Sequence, residues 1–218
     1  MKKSTLSPYL WIFLGILFGL NPLVSGFQDN LQPAPKTILF FGDSITAGYG
    51  LDPSLAFPAL IQNKIDEKAL AYKVVNAGLS GETSAGGLRR VDWVLQQAVD
   101  IFILELGGND GLRGLDLDQT KSNLQGIIYK VNARYPKATL ILAGMEVPPN
   151  LGVDYRNRFR EMYQQLSQEN ELVFIPFILD GVGGIPELNL ADQIHPNADG
   201  HKIVADLVWD TLEPLLIP

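Results

Sequence analysis

Five short apolar runs recur along the chain: Thr37–Phe41, Tyr72–Asn76, Ile101–Leu106, Thr139–Gly144 and Leu172–Ile175. Their residues are mostly Ile, Leu, Val and Phe, without strict alternation of apolar and polar positions. Runs of this kind fit strands covered on both faces, as in a parallel sheet. The segments between them change period. Leu60, Ile61 and Ile65 fall on a helical repeat within Ala56–Glu67. Leu88, Val91, Val94 and Leu95 mark a second helix, and Leu124, Ile127, Ile128 and Val131 a third. Tyr155–Glu169 is a fourth, with Phe159, Met162, Tyr163 and Leu166 on its inner side. A fifth begins after Pro196, carrying Ile203, Val204, Leu207, Val208 and Leu212 on one face, with Asn197 as its candidate N-cap. Strand and helix alternate through the chain, which predicts an α/β fold arranged as a three-layer α/β/α sandwich.

In open α/β sheets, ligands bind beyond the carboxyl ends of the strands. The residues that follow each strand therefore carry the functional information. After the first run comes Gly42-Asp43-Ser44, and after the second Asn76-Ala-Gly78-Leu-Ser-Gly-Glu-Thr-Ser84. After the third comes Gly107-Gly-Asn109-Asp-Gly111, and on the way to the last helix Asp192-Gln-Ile-His195-Pro.

A serine hydroxyl is a poor nucleophile at neutral pH and needs an adjacent base, itself oriented by a third group. Ser44 is the candidate nucleophile, His195 the candidate base and Asp192 the group that fixes the imidazole tautomer. The chain has only two histidines. The other, His201, is expected on the surface of the last helix. Asp43 is expected to support the turn at Ser44. Pro196 biases His195 toward an extended backbone and favours a helix start just after it. The candidate oxyanion donors are the backbone N–H groups of Ser44 and Gly78 and the side-chain amide of Asn109. Two competing patterns fail. The α/β-hydrolase elbow needs a glycine where Thr46 stands, and a P-loop needs a lysine, which Gly42–Gly50 lacks. A phosphate cradle in the first loop would leave Asp192, His195 and Asn109 without a role.

A length of 218 residues fits one domain with a sizeable core, and 46% apolar with 19% charged residues is ordinary for a folded protein. The first 26 residues stand apart. Lys2 and Lys3 precede an apolar stretch from Tyr9 to Leu20, and Val24-Ser-Gly26 offers small residues before Phe27. This reads as a secretory signal peptide, since the apolar core is short for a membrane span of about 20 residues. An uncleaved anchor is the alternative. The expected organisation is a signal peptide over residues 1–26, a leader over 27–36 and a catalytic domain over 37–218, in a periplasmic or secreted protein. The chain has no cysteine, which excludes a lipid-anchored cysteine and thiolate metal sites, and no metal or cofactor is expected. The formal charge of -7, about -9 without Lys2 and Lys3, disfavours nucleic acid as a partner. No stable membrane insertion is expected after processing, and a monomer or weak dimer is.

Together these blocks resemble the SGNH (GDSL) hydrolases. Gly42-Asp-Ser44-Ile is similar to the family's nucleophile block, and Gly78, Asn109 and Asp192-Gln-Ile-His195-Pro match the other three. Ser80-Gly-Glu-Thr-Ser84, Gly107-Gly-Asn-Asp-Gly-Leu-Arg-Gly114 and His195-Pro-Asn197 look most like the branch of arylesterases, thioesterase I and lysophospholipase L1. The resemblance runs from about Thr37 to the C-terminus. It implies a flavodoxin-like sheet of five parallel strands in the order 2-1-3-4-5. It implies metal-free ester or thioester hydrolysis, with Ser44, Asp192 and His195 as triad and Ser44, Gly78 and Asn109 as oxyanion hole. The substrate would be a small-molecule acyl ester or thioester. Gly111, Leu112, Val147 and Pro148 are expected to line the acyl groove. A carbohydrate O-acetylesterase on the same fold is the alternative activity, and a silent, ligand-binding homologue the non-enzyme alternative.

Overall fold

In the computed structural model, residues 34–216 are described, and their apolar runs form five strands. These are β1 (Lys36–Gly42), β2 (Tyr72–Asn76), β3 (Ile101–Glu105), β4 (Thr139–Ala143) and β5 (Val173–Ile175). The expected signal peptide over residues 1–26, and the leader up to residue 33, lie outside the described residues. All pairings are parallel and the order is β2-β1-β3-β4-β5, as the resemblance implied. Register pairs Phe40 with Asn76 on one side of β1 and with Ile103 on the other. Ile38, Leu39, Phe40 and Phe41 are fully buried, and so is nearly every side chain of β3. This explains the unbroken apolar runs: both sheet faces are covered. Each such large side chain contributes about 1.5–3 kcal/mol by leaving water.

Five longer helices cover the sheet: α2 (Phe57–Glu67), α3 (Ser84–Val94), α5 (Leu117–Arg134), α6 (Val153–Glu169) and α7 (Ala198–Leu212). Two short ones, α1 (Ser44–Ala47) and α4 (Gly108–Leu112), follow β1 and β3 directly. From β1 the chain crosses outward through α2 to β2, then back through α3, α5 and α6 to β3, β4 and β5. Right-handed crossovers in opposite directions put α2 on one face and α3, α5 and α6 on the other. α7 packs beside α2. The direction of winding reverses between β1 and β3, and the crevice of such a sheet opens there. Thr83, Asp116 and Asn197 cap α3, α5 and α7 with their side chains. Asn197 thus holds the place its sequence position predicted.

His201 corrects the sequence reading, which set it on the surface. It is 1% exposed, on the same face of α7 as Val204, Ala205, Val208 and Leu212. Its ring stacks on Phe57, and Nδ1 accepts the Phe57 N–H at 3.1 Å. That N–H opens α2, where Ala56 offers no side-chain cap, so the imidazole supplies the missing acceptor. Burial first, and the charge of His195 second, hold His201 down at about 4 from the ordinary 6.5. The unfolded chain binds this proton near 6.5 and the folded chain only near 4. Stability is therefore complete above pH 6.5 and is lost as pH falls toward 4. The interval corresponds to about 3 kcal/mol. We expect His201→Leu to lose stability at neutral pH through the orphaned Phe57 N–H, but to show a flatter acid slope than the wild type. Denaturant unfolding at several pH values checks this, and parallel slopes in the two proteins would refute it. The difference between the two curves cancels other titrating groups.

Candidate active site

β1 delivers the nucleophile candidate. The strand ends at Gly42, and Asp43 caps α1 by accepting the Ile45 N–H at 3.0 Å on Oδ1. Ser44 is the first residue of α1 and is only 8% exposed. Its Oγ lies 2.9 Å from Nε2 of His195, 151 residues later in the chain.

The base candidate sits on a pinned loop. Leu190 N–H donates to His195 O at 2.7 Å, Asn197 N–H donates to Leu188 O at 2.9 Å, and Gln193 N–H donates to Leu190 O at 2.9 Å. Gln193 occupies the left-handed region, φ 60°, at the tip of this turn. Asp192 folds back over it. Its Oδ1 accepts the backbone N–H groups of Ile194 and His195 at 2.9 and 3.0 Å, and Oδ2 lies 2.8 Å from His195 Nδ1. A carboxylate only accepts, so Nδ1 carries the proton and Nε2 is free to accept from Ser44 Oγ–H. Burial is the largest single influence on Asp192 and raises its pKa. The backbone donors of His195 and Ile194, then the imidazole itself, outweigh it and hold the carboxyl at about 2. Asp192 is thus a carboxylate throughout the range in which esterases work.

The other two loops meet the first. A Cβ on Gly78 would lie 2.3 Å from the Ala47 amide nitrogen, so only glycine lets this loop approach α1 so closely. Asn76 ties the two together: Nδ2 donates to Thr46 O and Oδ1 accepts the Gly78 N–H, both at 2.9 Å. Asn109 is the half-buried second residue of α4, and its Nδ2 donates to Asp43 Oδ2 and to Glu82 O, each at 3.1 Å. The Ser44 N–H has no partner among the described residues. Ser44, Gly78 and Asn109 therefore converge around one turn, with the Gly78 and Asn109 donors engaged within the protein.

Beneath this turn lies a carboxyl that the sequence reading passed over. Glu105 ends β3 and is 1% exposed. Its Oε2 accepts from Thr46 Oγ1 at 2.7 Å and from the Asp43 N–H at 3.3 Å, while Oε1 is buried without a partner. Burial, then the charge of Asp43, push Glu105 well above the carboxylate range. Burial likewise lifts Asp43 to about 6, although its bonds from Ile45 and Asn109 pull the other way. Glu105 grips α1 from below at two points, Thr46 Oγ1 and the Asp43 N–H. A charged residue closing Ile101-Phe-Ile-Leu-Glu105 was the available signal.

The four residues expected along a groove do not share one surface, which corrects that expectation. Gly111 and Val147 are buried against each other: a Cβ on Gly111 would meet Val147 Cγ1 at 2.4 Å and the Phe159 ring at 2.8 Å. Gly111 is a packing glycine. Leu112 and Pro148 are exposed. The exposed apolar residues near the site are instead Tyr49, whose ring lies 4.5 Å from that of His195, together with Leu79, Leu112 and Ile194. Leu79 follows Gly78 and Ile194 precedes His195, so both belong to loops already placed at the site.

Comparison with known proteins bears on this geometry. The model of the GDSL-like Lipase/Acylhydrolase family matches residues 40–203, a span that contains every residue of the constellation. The chain is 41% identical to the esterase TesA of Pseudomonas aeruginosa over 186 residues, 85% of this chain and 92% of that protein. It is 39% identical to the thioesterase 1/protease 1/lysophospholipase L1 of Escherichia coli over 184 residues, 84% of this chain and 86% of that one. Among solved structures, the psychrotrophic esterase EstA from Pseudoalteromonas sp., inhibited by monoethylphosphonate, superposes with a TM-score of 0.78 at 32% identity. That likeness covers 83% of this chain and 98% of the other.

Proposed function

Because the chain belongs to the GDSL-like lipase/acylhydrolase family, we propose that its esterase chemistry runs through Ser44, His195 and Asp192. The protein is a serine esterase acting on carboxylic esters or thioesters. One observation carries the assignment of residues: the continuous chain of hydrogen bonds from Ser44 Oγ to His195 Nε2 at 2.9 Å and from His195 Nδ1 to Asp192 Oδ2 at 2.8 Å.

Ser44 Oγ attacks the acyl carbonyl while His195 takes its proton. Asp192 stabilises the imidazolium and keeps the ring in place. The developing oxyanion is met by the free N–H of Ser44 and by the Gly78 N–H and Asn109 amide, which turn from their internal acceptors. The alcohol or thiol leaves with the proton from His195. Water, activated by the same ring, then releases the acid and restores Ser44. The exposed apolar residues Tyr49, Leu79, Leu112 and Ile194 give an acyl chain a surface to lie on.

Residues 1–26 direct export in this reading and are removed before Phe27, leaving a periplasmic or secreted enzyme. Among the described residues no helix is long and apolar enough to cross a membrane. The test uses the protein recovered from outside the cytoplasm. Its N-terminal sequence is expected to begin at Phe27, and it is then assayed on p-nitrophenyl and coenzyme A esters of increasing chain length. Hydrolysis of chains longer than acetyl supports the reading. Strict acetate preference would instead favour a carbohydrate O-acetylesterase.

A further inference from the structure

Arg90 lies half-buried on α3 and turns its guanidinium to the loop that joins β2 to that helix. Nε donates to the two carboxylate oxygens of Glu82, at 2.9 and 3.0 Å. Nη2 donates to Glu82 Oε2 and, at 2.9 Å, to Ala77 O. The group rests over the Phe41 ring of β1, 4.3 Å from its centre. Glu82 is buried, and Gly86 makes room for it: a Cβ there would lie 3.1 Å from Glu82 Cγ. One planar cation therefore joins the two ends of the loop from Ala77 to Glu82. Arg89, its neighbour on α3, is exposed.

The Ala77 carbonyl and the Gly78 N–H belong to one peptide unit. That unit is planar and trans, so the oxygen and the N–H point opposite ways. With Ala77 O held, the plane can only pivot about that oxygen. The Gly78 N–H then passes from Asn76 Oδ1 to an oxyanion without the loop leaving α1. A charge-assisted bond at the oxygen also polarises the unit and makes its N–H a better donor. The second donor leads to the same arginine. Asn109 Nδ2 donates to Glu82 O at 3.1 Å, and Glu82 is the residue whose side chain Arg90 grips. A lysine cannot copy this arrangement, because an ammonium has no planar fork to span a carboxylate and a carbonyl.

We propose that Arg90 is a positioning residue of the oxyanion site: it holds and polarises the peptide that carries the Gly78 N–H, and fixes the segment whose carbonyl carries Asn109. The inference rests on the assignment of Ser44 as nucleophile with Gly78 and Asn109 as donors. Arg90 acts through the loop and not on the ester, since Nε and Nη2 are spent on Glu82 and Ala77. Its effect belongs to the transition state, where the donors must meet a developing charge. A donor displaced by about 1 Å costs on the order of 10²-fold in rate.

The experiment measures kcat and KM on p-nitrophenyl butyrate. Arg90→Lys is expected to lower kcat about 10- to 100-fold with KM within about threefold. Glu82→Gln keeps the bond to Ala77 O and should lose less. Arg89→Gln, which removes the exposed neighbouring charge, should match the wild type within about twofold. Introduced into Asn109→Ala, the Arg90→Lys change should cost several-fold less than in the wild type, because the two residues serve one hydrogen-bonded network. An unchanged kcat, a loss seen only in KM, or the same kcat loss in both backgrounds would overturn the proposal. A second arm needs no turnover. In the Ser44→Ala protein, Arg90→Lys should shift the Gly78 amide nitrogen signal upfield and speed its hydrogen exchange, with the amides of α7 unmoved. An unmoved Gly78 signal, or equal loosening of α7, overturns the proposal. If the Gly78 signal moves but neither Arg90→Lys nor Asn109→Ala slows turnover, the oxyanion assignment fails while the hold of Arg90 on the Gly78 peptide stands. If Asn109→Ala slows turnover and Arg90→Lys does not, the assignment stands and the role of Arg90 falls.

Discussion

Replacing Ser44 with alanine is expected to lower ester turnover by at least about 10⁴-fold while leaving the fold in place. The residue contributes little to packing: its hydroxyl has one recorded partner, His195 Nε2, and its backbone sits in the first turn of α1. The turn itself is held by other atoms. Asp43 caps it, Glu105 accepts from Thr46 below it, and Asn76 accepts from Gly78 and donates to Thr46 beside it. The melting temperature should therefore stay within a few degrees of the wild type, roughly the effect of a kcal/mol or less. A fluorophosphonate reagent should label the wild-type protein on the peptide containing Ser44 and leave the variant unlabelled. Retained labelling, or turnover within tenfold of wild type, would remove Ser44 from the mechanism and with it the roles given to His195 and Asp192.

The strands and the chemistry-bearing loops were legible because each depends on local pattern. β2 was bounded to the residue, at Tyr72–Asn76, and the ends of the other strands to within one residue. The short helices α1 and α4 were not legible. Four or five residues complete too few turns to show a period, and α4 contains two glycines. Tertiary contacts hold α4 instead: Asp110 accepts from the Ser84 N–H at 2.8 Å and from Ser84 Oγ at 2.6 Å, and Asn123 donates to the same hydroxyl. His201 was misplaced for a related reason. Its position on the apolar stripe of α7 was visible, but a histidine there reads as polar until the uncapped start of α2 is known to face it. Gly111 and Val147 look like loop residues in the sequence, and only the fold reveals that they pack together and that the Phe159 ring closes over Gly111. Glu105 belongs to the same class. The residue types are plain in the sequence, but whether a charge is buried, paired or free is a property of distant segments.

Asn109→Ala should lower kcat by about 10²–10³-fold and leave KM within about threefold. In the resting protein the Asn109 amide spends its two N–H groups on Asp43 Oδ2 and Glu82 O, at the long end of hydrogen bonding, 3.1 Å each. An uncharged ester oxygen competes poorly for either. An oxyanion competes well, so the exchange is favoured only as charge develops, and its loss falls on kcat rather than on substrate binding. The same change strips Asp43 of a donor that pulls its pKa down, so that carboxyl, already at about 6, should move higher. A carbon-13 titration of Asp43 reads this shift independently of turnover. Asn109→Asp separates shape from chemistry. It nearly preserves the side-chain volume, but a carboxylate only accepts and would face Asp43 across the same 3.1 Å. If Asn109 merely filled space, the aspartate variant would recover most of the activity lost on truncation. If it donates to the oxyanion, the aspartate variant is at least as impaired as the alanine variant, because it removes the donor and adds a repelling charge where negative charge must form.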